Sequence, residues 1–178
     1  MDVLIREARR EDAAAVVRIL NAIIEAGEYT VFDTPFTVEV EKRYIADLPE
    51  RGIFHIAEAH VGNRVVGFQS LEPFATYTRA FDHVGVIATY VDLDYRRQGI
   101  GKQLFEATFN TARQKGYEKI FTYVRGDNPA ALTAYLKSGF RIVGTAQRHA
   151  KIGGRYVDEI MVERFLQQNG EARILGRA

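Results

Sequence analysis

Apolar positions change their period several times along the chain, and each change marks an element. Residues 3–8, Val-Leu-Ile-Arg-Glu-Ala, read as a first strand. From Asp12 onward, Ala15, Val16, Ile19, Leu20 and Ile23 return every three or four residues, which predicts a helix over 12–24 with Asp12 opening it. A loop carrying Thr30, Phe32, Asp33, Thr34 and Pro35 follows, and then a second helix over 38–48. Strands over 53–59 and 64–71 flank Gly62-Asn63, a pair suited to a hairpin turn.

A fourth strand is expected over 84–93, leading into a helix over 99–115 that Gly116 ends. A fifth strand over 119–124 precedes a short helix with Asn128 at the N-cap, Pro129 at the first helical position and Gly139 just past the end. Strands over 141–147 and 156–165 meet across Gly153-Gly154. Strands alternating with helices in the middle and hairpins at both ends predict an α/β fold. Its centre is a mostly antiparallel mixed sheet of six to seven strands with helices on both faces. No repeat, low-complexity segment or linker interrupts it, so 1–166 read as one domain and the weakly periodic 167–178 as a C-terminal tail.

Composition narrows the function classes. The chain has 178 residues, 47% of them apolar and 26% charged, as in an ordinary soluble domain with a proper core. A formal net charge of +1 gives no overall attraction to nucleic acid or to a membrane surface. With no cysteine there is no disulfide, thiolate metal site or thiol nucleophile. No apolar run approaches spanning length and no leader pattern opens the chain, so the expected location is cytoplasmic. His55, His60 and His149 lack the spacing that gathers ligands, and no metal site is expected.

The basic residues matter where they cluster. Arg96, Arg97 and Lys102 surround Gln98-Gly99-Ile100-Gly101, at the junction of the fourth strand and the third helix. A helix N-terminus leaves main-chain N–H groups unpaired and carries partial positive charge, so glycines there let an anion reach the main chain. The dinucleotide fingerprint would need a glycine where Leu104 stands, and the P-loop a Ser or Thr where Gln103 stands. A turn shaped only by Gly99 and Gly101, in a generic anion-binding domain, stays open at this point.

Arg96-x-x-Gly99-x-Gly101 resembles the pyrophosphate-binding signature of the GNAT superfamily of N-acetyltransferases. Asn128-x-x-Ala131-x-x-x-Tyr135-x-x-x-Gly139-Phe140 is similar to the pattern that closes the cofactor half of the same superfamily. Asn128, Ala131 and Tyr135, three and four residues apart, share one helix face. The opening Ile5-Arg6-Glu7-Ala8 with Asp12-Ala13, Asn21 and Thr30-x-Phe32-Asp33 looks like the phosphinothricin and amino-acid N-acetyltransferase branch.

The resemblance implies acetyl-CoA as co-substrate and direct transfer of its acetyl group to the primary amine of a small molecule, an amino acid or an amino-acid-like antimetabolite. A protein or peptide acceptor, and a non-catalytic acyl-CoA-binding sensor, are the alternatives. It further implies a homodimer as a candidate assembly. Thr89, Tyr90 and Val91 would border the pantetheine arm, and Arg96, Arg97, Gln98, Gly99, Ile100, Gly101 and Lys102 the pyrophosphate. Asn128 and Ala131 would face the cofactor. Tyr135 would protonate the departing thiolate, a task suited to a hydroxyl with a pKa of about 10, and the Val91 N–H would polarise the thioester carbonyl.

One position departs from the branch. Its strand-four glutamate corresponds to Val86, which leaves the base that deprotonates the amine unassigned. Asp82 and His83 lie just before that strand, and His83 is the candidate base, because an imidazole is the side chain suited to proton transfer near neutral pH, beside a water-mediated route. Asp158-Glu159 could meet a cationic acceptor, and Phe32, Phe74 and Tyr77 lie in segments expected to border its pocket.

Overall fold

The computed structural model describes residues 1–166, so the expected tail, 167–178, lies outside the described residues. Among the described residues, seven strands form one sheet: β1 (Val3–Glu7), β2 (Ile53–Ala59), β3 (Arg64–Pro73), β4 (Val84–Val91), β5 (Lys119–Arg125), β6 (Arg141–Ile152) and β7 (Arg155–Phe165). Their order is β1-β2-β3-β4-β5-β7-β6, and among the described residues only β4 and β5 are parallel neighbours. Helices α1 (Ala13–Glu25) and α2 (Val38–Ala46) come before β2, α3 (Ile100–Gln114) joins β4 to β5, and α4 (Pro129–Lys137) follows β5.

Burial explains why the helices divide between two faces. On one side Val16, Ile19, Leu20 and Ile23 of α1 pack on Phe54, Ile56 and Phe68 of β2 and β3. On the other, Phe105, Phe109 and Ala112 of α3, with Tyr135 of α4, pack on Leu71, Ile87, Ile120, Val124 and Val162. The predicted mixed sheet with helices on both faces is therefore the observed one.

Several boundaries differ from the periodicity, each for a local reason. Asp12 sits in a 3-10 turn and does not cap α1 with its side chain. Its carboxylate instead accepts from Arg6 Nη1 and Nη2 at 2.7 and 2.8 Å and from the Arg9 N–H at 2.7 Å. Helix α2 stops at Ala46 instead of 48, because Leu48 precedes Pro49 and is steered out of helical φ/ψ. Strand β3 runs two residues past Leu71, which brings Glu72 into the ladder. The final hairpin is tighter than expected: Ile152 pairs with Arg155 across a two-residue turn, Gly153 and Gly154 at φ +55° and +80°.

Strand β4 ends at Val91 and not at 93. The Asp92 N–H bonds Val66 O, while its buried carboxylate accepts from the Asp94 N–H, from Arg18 at 2.6 Å and from Arg64 at 3.4 Å. This knot turns the chain from β4 toward α3. Burial alone would raise the Asp92 carboxyl, but the bonds from Arg18 and from the Asp94 N–H outweigh it and hold the group below its ordinary value.

A depressed pKa contributes stability above the unfolded value that is lost as pH falls through the folded one. Asp92→Asn is predicted to lower unfolding free energy by about 1–2 kcal/mol at pH 7, the cost of a weakened charge-assisted bond. The deficit should shrink below about pH 4, where the wild-type carboxylate is protonated too. Urea titrations of both proteins across that range check this.

Candidate functional site

The site begins where two strands part. Parallel β4 and β5 pair only over Val84–Lys119, Gly85–Ile120 and Val86–Phe121, although both continue beyond. Along β4 the main-chain directions alternate. Phe74 N–H donates to Val84 O and Asp92 N–H to Val66 O, so the even-numbered residues direct their main-chain groups to β3. Those of Thr89 and Val91, with the Ile87 carbonyl, therefore face the opening beside β5 and have no strand partner among the described residues, while the Ile87 N–H closes the last rung of the ladder. A gap between two strands, lined on one edge by unspent peptide groups, can take an extended polar chain as a further strand takes its neighbour.

Tyr135 of α4 stands at this gap. Its side chain packs against Phe105 and Phe140, with ring centroids 5.2 and 5.1 Å away. Its hydroxyl donates to Thr89 Oγ1 of β4 at 3.4 Å, with the Thr122 hydroxyl of β5 also in reach, so it spans the parting strands. Burial pushes its pKa up to about 12, only partly offset by the threonine hydroxyls, and the proton stays on through the neutral range. Thr89 Oγ1 also accepts from Gln69 Nε2 at 2.7 Å. Gln69 is fully buried, and its Oε1 has no hydrogen-bond partner among the described residues.

The gap leads to the N-terminus of α3. Gly99 is the N-cap residue at φ +81°, Arg97 also has a positive φ of 60°, and the first intrahelical bond runs from Gln103 N–H to Gly99 O. The N–H groups of residues 99–102 thus precede the helical ladder. A Cβ added at Gly99 or Gly101 would meet nothing within 4 Å, so the space in front of them is open to a ligand. Arg97, Gln98 and Lys102 are exposed around it. Ile100 sends its side chain into the core and offers only its main chain. These features fit a diphosphate bound by main-chain N–H groups.

Other expected residues serve the frame around the gap. The Arg96 guanidinium lies 3.8 Å from the centroid of the Tyr29 ring, which places it on the α1–α2 loop. Asn128 Oδ1 caps α4 through the Ala131 N–H at 3.0 Å and its Nδ2 reaches Tyr29 O at 3.4 Å, while Ala131 packs on the core under α4. Tyr90 points to the opposite face and stacks on Phe68 at 4.9 Å. His83 is not brought to this cluster: it is exposed six residues before Thr89, about 20 Å along the strand. Asp82 and Tyr77 line a separate hollow of about 400 Å³ with Pro49, Arg51 and Arg79. Phe74 contacts Phe121 at 6.0 Å on the α1/α2 side of the sheet, and Phe32 contacts Phe36 in the α1–α2 loop. The Asp158 carboxylate accepts from the Arg148 N–H at 2.6 Å, and Glu159 lies 3.8 Å from His149.

Sequence reasoning missed Gln69, Thr122 and Arg125. Gln69 was detectable as a polar residue inside the apolar run 65–71. Arg125 is buried and donates to Gly27 O and Thr30 O at 2.9 and 2.7 Å, with Asp127 neutralising it at 2.7 Å, so it clamps the α1–α2 loop over the end of β5.

Known proteins bear on this geometry. The model of the Acetyltransferase (GNAT) family matches residues 16–140. The phosphinothricin N-acetyltransferase of Streptomyces coelicolor is 23% identical over 167 residues, covering 93% of this chain and 97% of that protein. The mycothiol acetyltransferase of Saccharomonospora viridis is 37% identical over 101 residues, 55% of this chain; the chain spans about a third, 33%, of that protein's length. The structure of a GNAT superfamily phosphinothricin acetyltransferase from Sinorhizobium meliloti in complex with AcCoA superposes with a TM-score of 0.86, covering 93% of this chain and 89% of that one at 19% identity.

The two turn glycines should separate in experiment. Gly99→Ala is predicted to cost about 1 kcal/mol because a side chain strains the left-handed backbone. Gly101→Ala should leave stability unchanged or raise it by up to about 1 kcal/mol, since alanine is the better helix former and its Cβ meets open space. Thermal unfolding checks both. A large loss at Gly101 would mean that the protein itself needs that glycine.

Proposed function

The chain belongs to the acetyltransferase (GNAT) family, and from that premise we propose that it transfers the acetyl group of acetyl-CoA directly to the primary amine of a small molecule, an amino acid or an amino-acid-like antimetabolite. The observation that carries this reading is the gap between β4 and β5, with unspent N–H groups at one end and the buried Tyr135 hydroxyl at its edge. The acceptor class is supported by the match over nearly all of the Streptomyces coelicolor phosphinothricin enzyme. The co-substrate is supported by the bound AcCoA of the Sinorhizobium meliloti structure, whose fold this chain shares.

Acetyl-CoA supplies an activated acetyl thioester. The chain's own groups hold and orient it: the N–H groups of 99–102 would take its diphosphate, with Arg97 and Lys102 adding charge, and the main chain of Ile87, Thr89 and Val91 would pair with the pantetheine arm. The Val91 N–H is the donor for an oxygen that gains negative charge during transfer, a contact worth more in a site that excludes water. Tyr135 Oη keeps its proton at neutral pH and delivers it to the departing sulfur.

Two expected outcomes test this. Tyr135→Phe should cut kcat about 10²-fold with acetyl-CoA affinity unchanged, measured by thiol release over a panel of amino acids, phosphinothricin, polyamines and peptides alongside calorimetry. Gly101→Val should weaken acetyl-CoA at least about tenfold, because its side chain fills the space a diphosphate would occupy. Equal activity of the Phe variant would remove Tyr135 from the reaction.

A further inference from the structure

An amine acceptor reaches the site as an ammonium ion and must lose a proton before its nitrogen can attack. Tyr135 holds its own proton, and His83 is far along the strand. Strand β3 offers another group. Glu72 pairs directly with Val86, and cross-strand partners share a face of the sheet with Cβ atoms about 5 Å apart. Val86 in turn pairs with Phe121, the last contact before β4 and β5 separate. Glu72 therefore stands at the head of the gap, on the face covered by α1 and α2. Tyr135 stands on the opposite face, packed with α3.

The Glu72 carboxylate is also oriented. Tyr44 of α2, wedged edge-on against Phe54 at 5.7 Å, donates its hydroxyl to Glu72 Oε1 in a short hydrogen bond. Burial first, and Glu72 second, raise the pKa of Tyr44, so it remains a donor. No ion pair neutralises Glu72 among the described residues, and Oε2 takes no hydrogen bond there. The Tyr44 hydroxyl faces it, with Ser70 also in reach of that hydroxyl and Glu41, one turn from Tyr44 on α2, acting on it by charge; the charge of Glu72 reaches Tyr117, whose ring lies under the Arg51 guanidinium at 4.3 Å. Glu41 is 5% exposed, and burial pushes it up to about 7.

We propose that Glu72 is the general base of the transfer, held by Tyr44 so that Oε2 receives a proton from the acceptor's ammonium group. This rests on the acetyl-transfer reading above. Glu72 takes one proton from nitrogen and passes it to solvent. The nitrogen lone pair forms the N–C bond, the C–S bond breaks, and Tyr135 gives its proton to sulfur. The second nitrogen proton leaves to solvent, from which Tyr135 is reprotonated, so each turnover releases one proton. The carboxylate that the resembled branch carries on β4 is, in this chain, supplied from the neighbouring strand at the same point of the sheet.

The test moves the carboxylate across the ladder. Glu72→Gln should lower kcat/KM for the amine about 10²-fold and abolish the acid limb of its pH profile, with acetyl-CoA affinity by calorimetry unchanged and the fold retained by circular dichroism. Adding Val86→Glu to Glu72→Gln should recover at least tenfold and restore the limb. Glu41→Gln should keep the limb. Apart from turnover, carbon-13 carboxyl signals of the wild-type protein should show a shift at Glu72 on adding n-propylammonium chloride and none with n-propanol. A Glu72→Gln variant that retains its acid limb, loss of the limb in Glu41→Gln instead, or no ammonium-dependent shift at Glu72 would each overturn the proposal. If wild type releases no thiol with any amine, the acetyl-transfer reading fails by itself, and the carboxyl shift alone decides whether Glu72 receives an ammonium group.

Discussion

Strands β4 and β5 hydrogen-bond over three residue pairs and then separate, and every chemical group of interest is arranged around that separation. A sheet ordinarily spends its peptide groups on its neighbours. Here the main-chain groups of Thr89 and Val91 that face β5 have no strand partner among the described residues, an edge that an extended polar ligand can pair with. The flanking structure holds the gap open. The Asp92 knot to Arg18, Arg64 and Val66 anchors the end of β4, and Arg125 ties the end of β5 to the α1–α2 loop.

The two faces of the sheet reach the gap with different equipment. On one side, aromatic packing among Phe105, Phe140 and Tyr135 buries a hydroxyl that stays protonated, and Gln69 and Thr89 extend the polar contact into the sheet. On the other, Tyr44 orients the Glu72 carboxylate. A proton donor and a proton acceptor on opposite sides of one opening do not neutralise each other. Groups with opposed roles can thus share a small site while each sits in the environment its protonation state requires.

The sequence made much of this legible because the decisive signals are local. Gly99, Asn128, Pro129 and Gly139 punctuate elements through main-chain geometry that depends on near neighbours, and all appear where the pattern puts them. The third strand shows the limit. Its apolar run ends at Leu71, so Glu72 reads as a loop residue, yet pairing with Val86 draws it into the ladder. Register between strands is set by tertiary contacts and leaves no mark in a single chain. Likewise nothing in the sequence marks the contact of Arg96, expected beside the pyrophosphate, with the Tyr29 ring, which joins segments 67 residues apart.

The central claim is that the parted strands receive acetyl-CoA along the free edge of β4. Amide hydrogen exchange, resolved by residue with and without acetyl-CoA, tests it most directly. The account predicts that the ligand slows exchange at Thr89, Val91 and residues 99–102 while leaving β6 unchanged. Protection at the helix N-terminus without any at Thr89 or Val91 would contradict it, since the cradle would then bind an anion while the gap played no part.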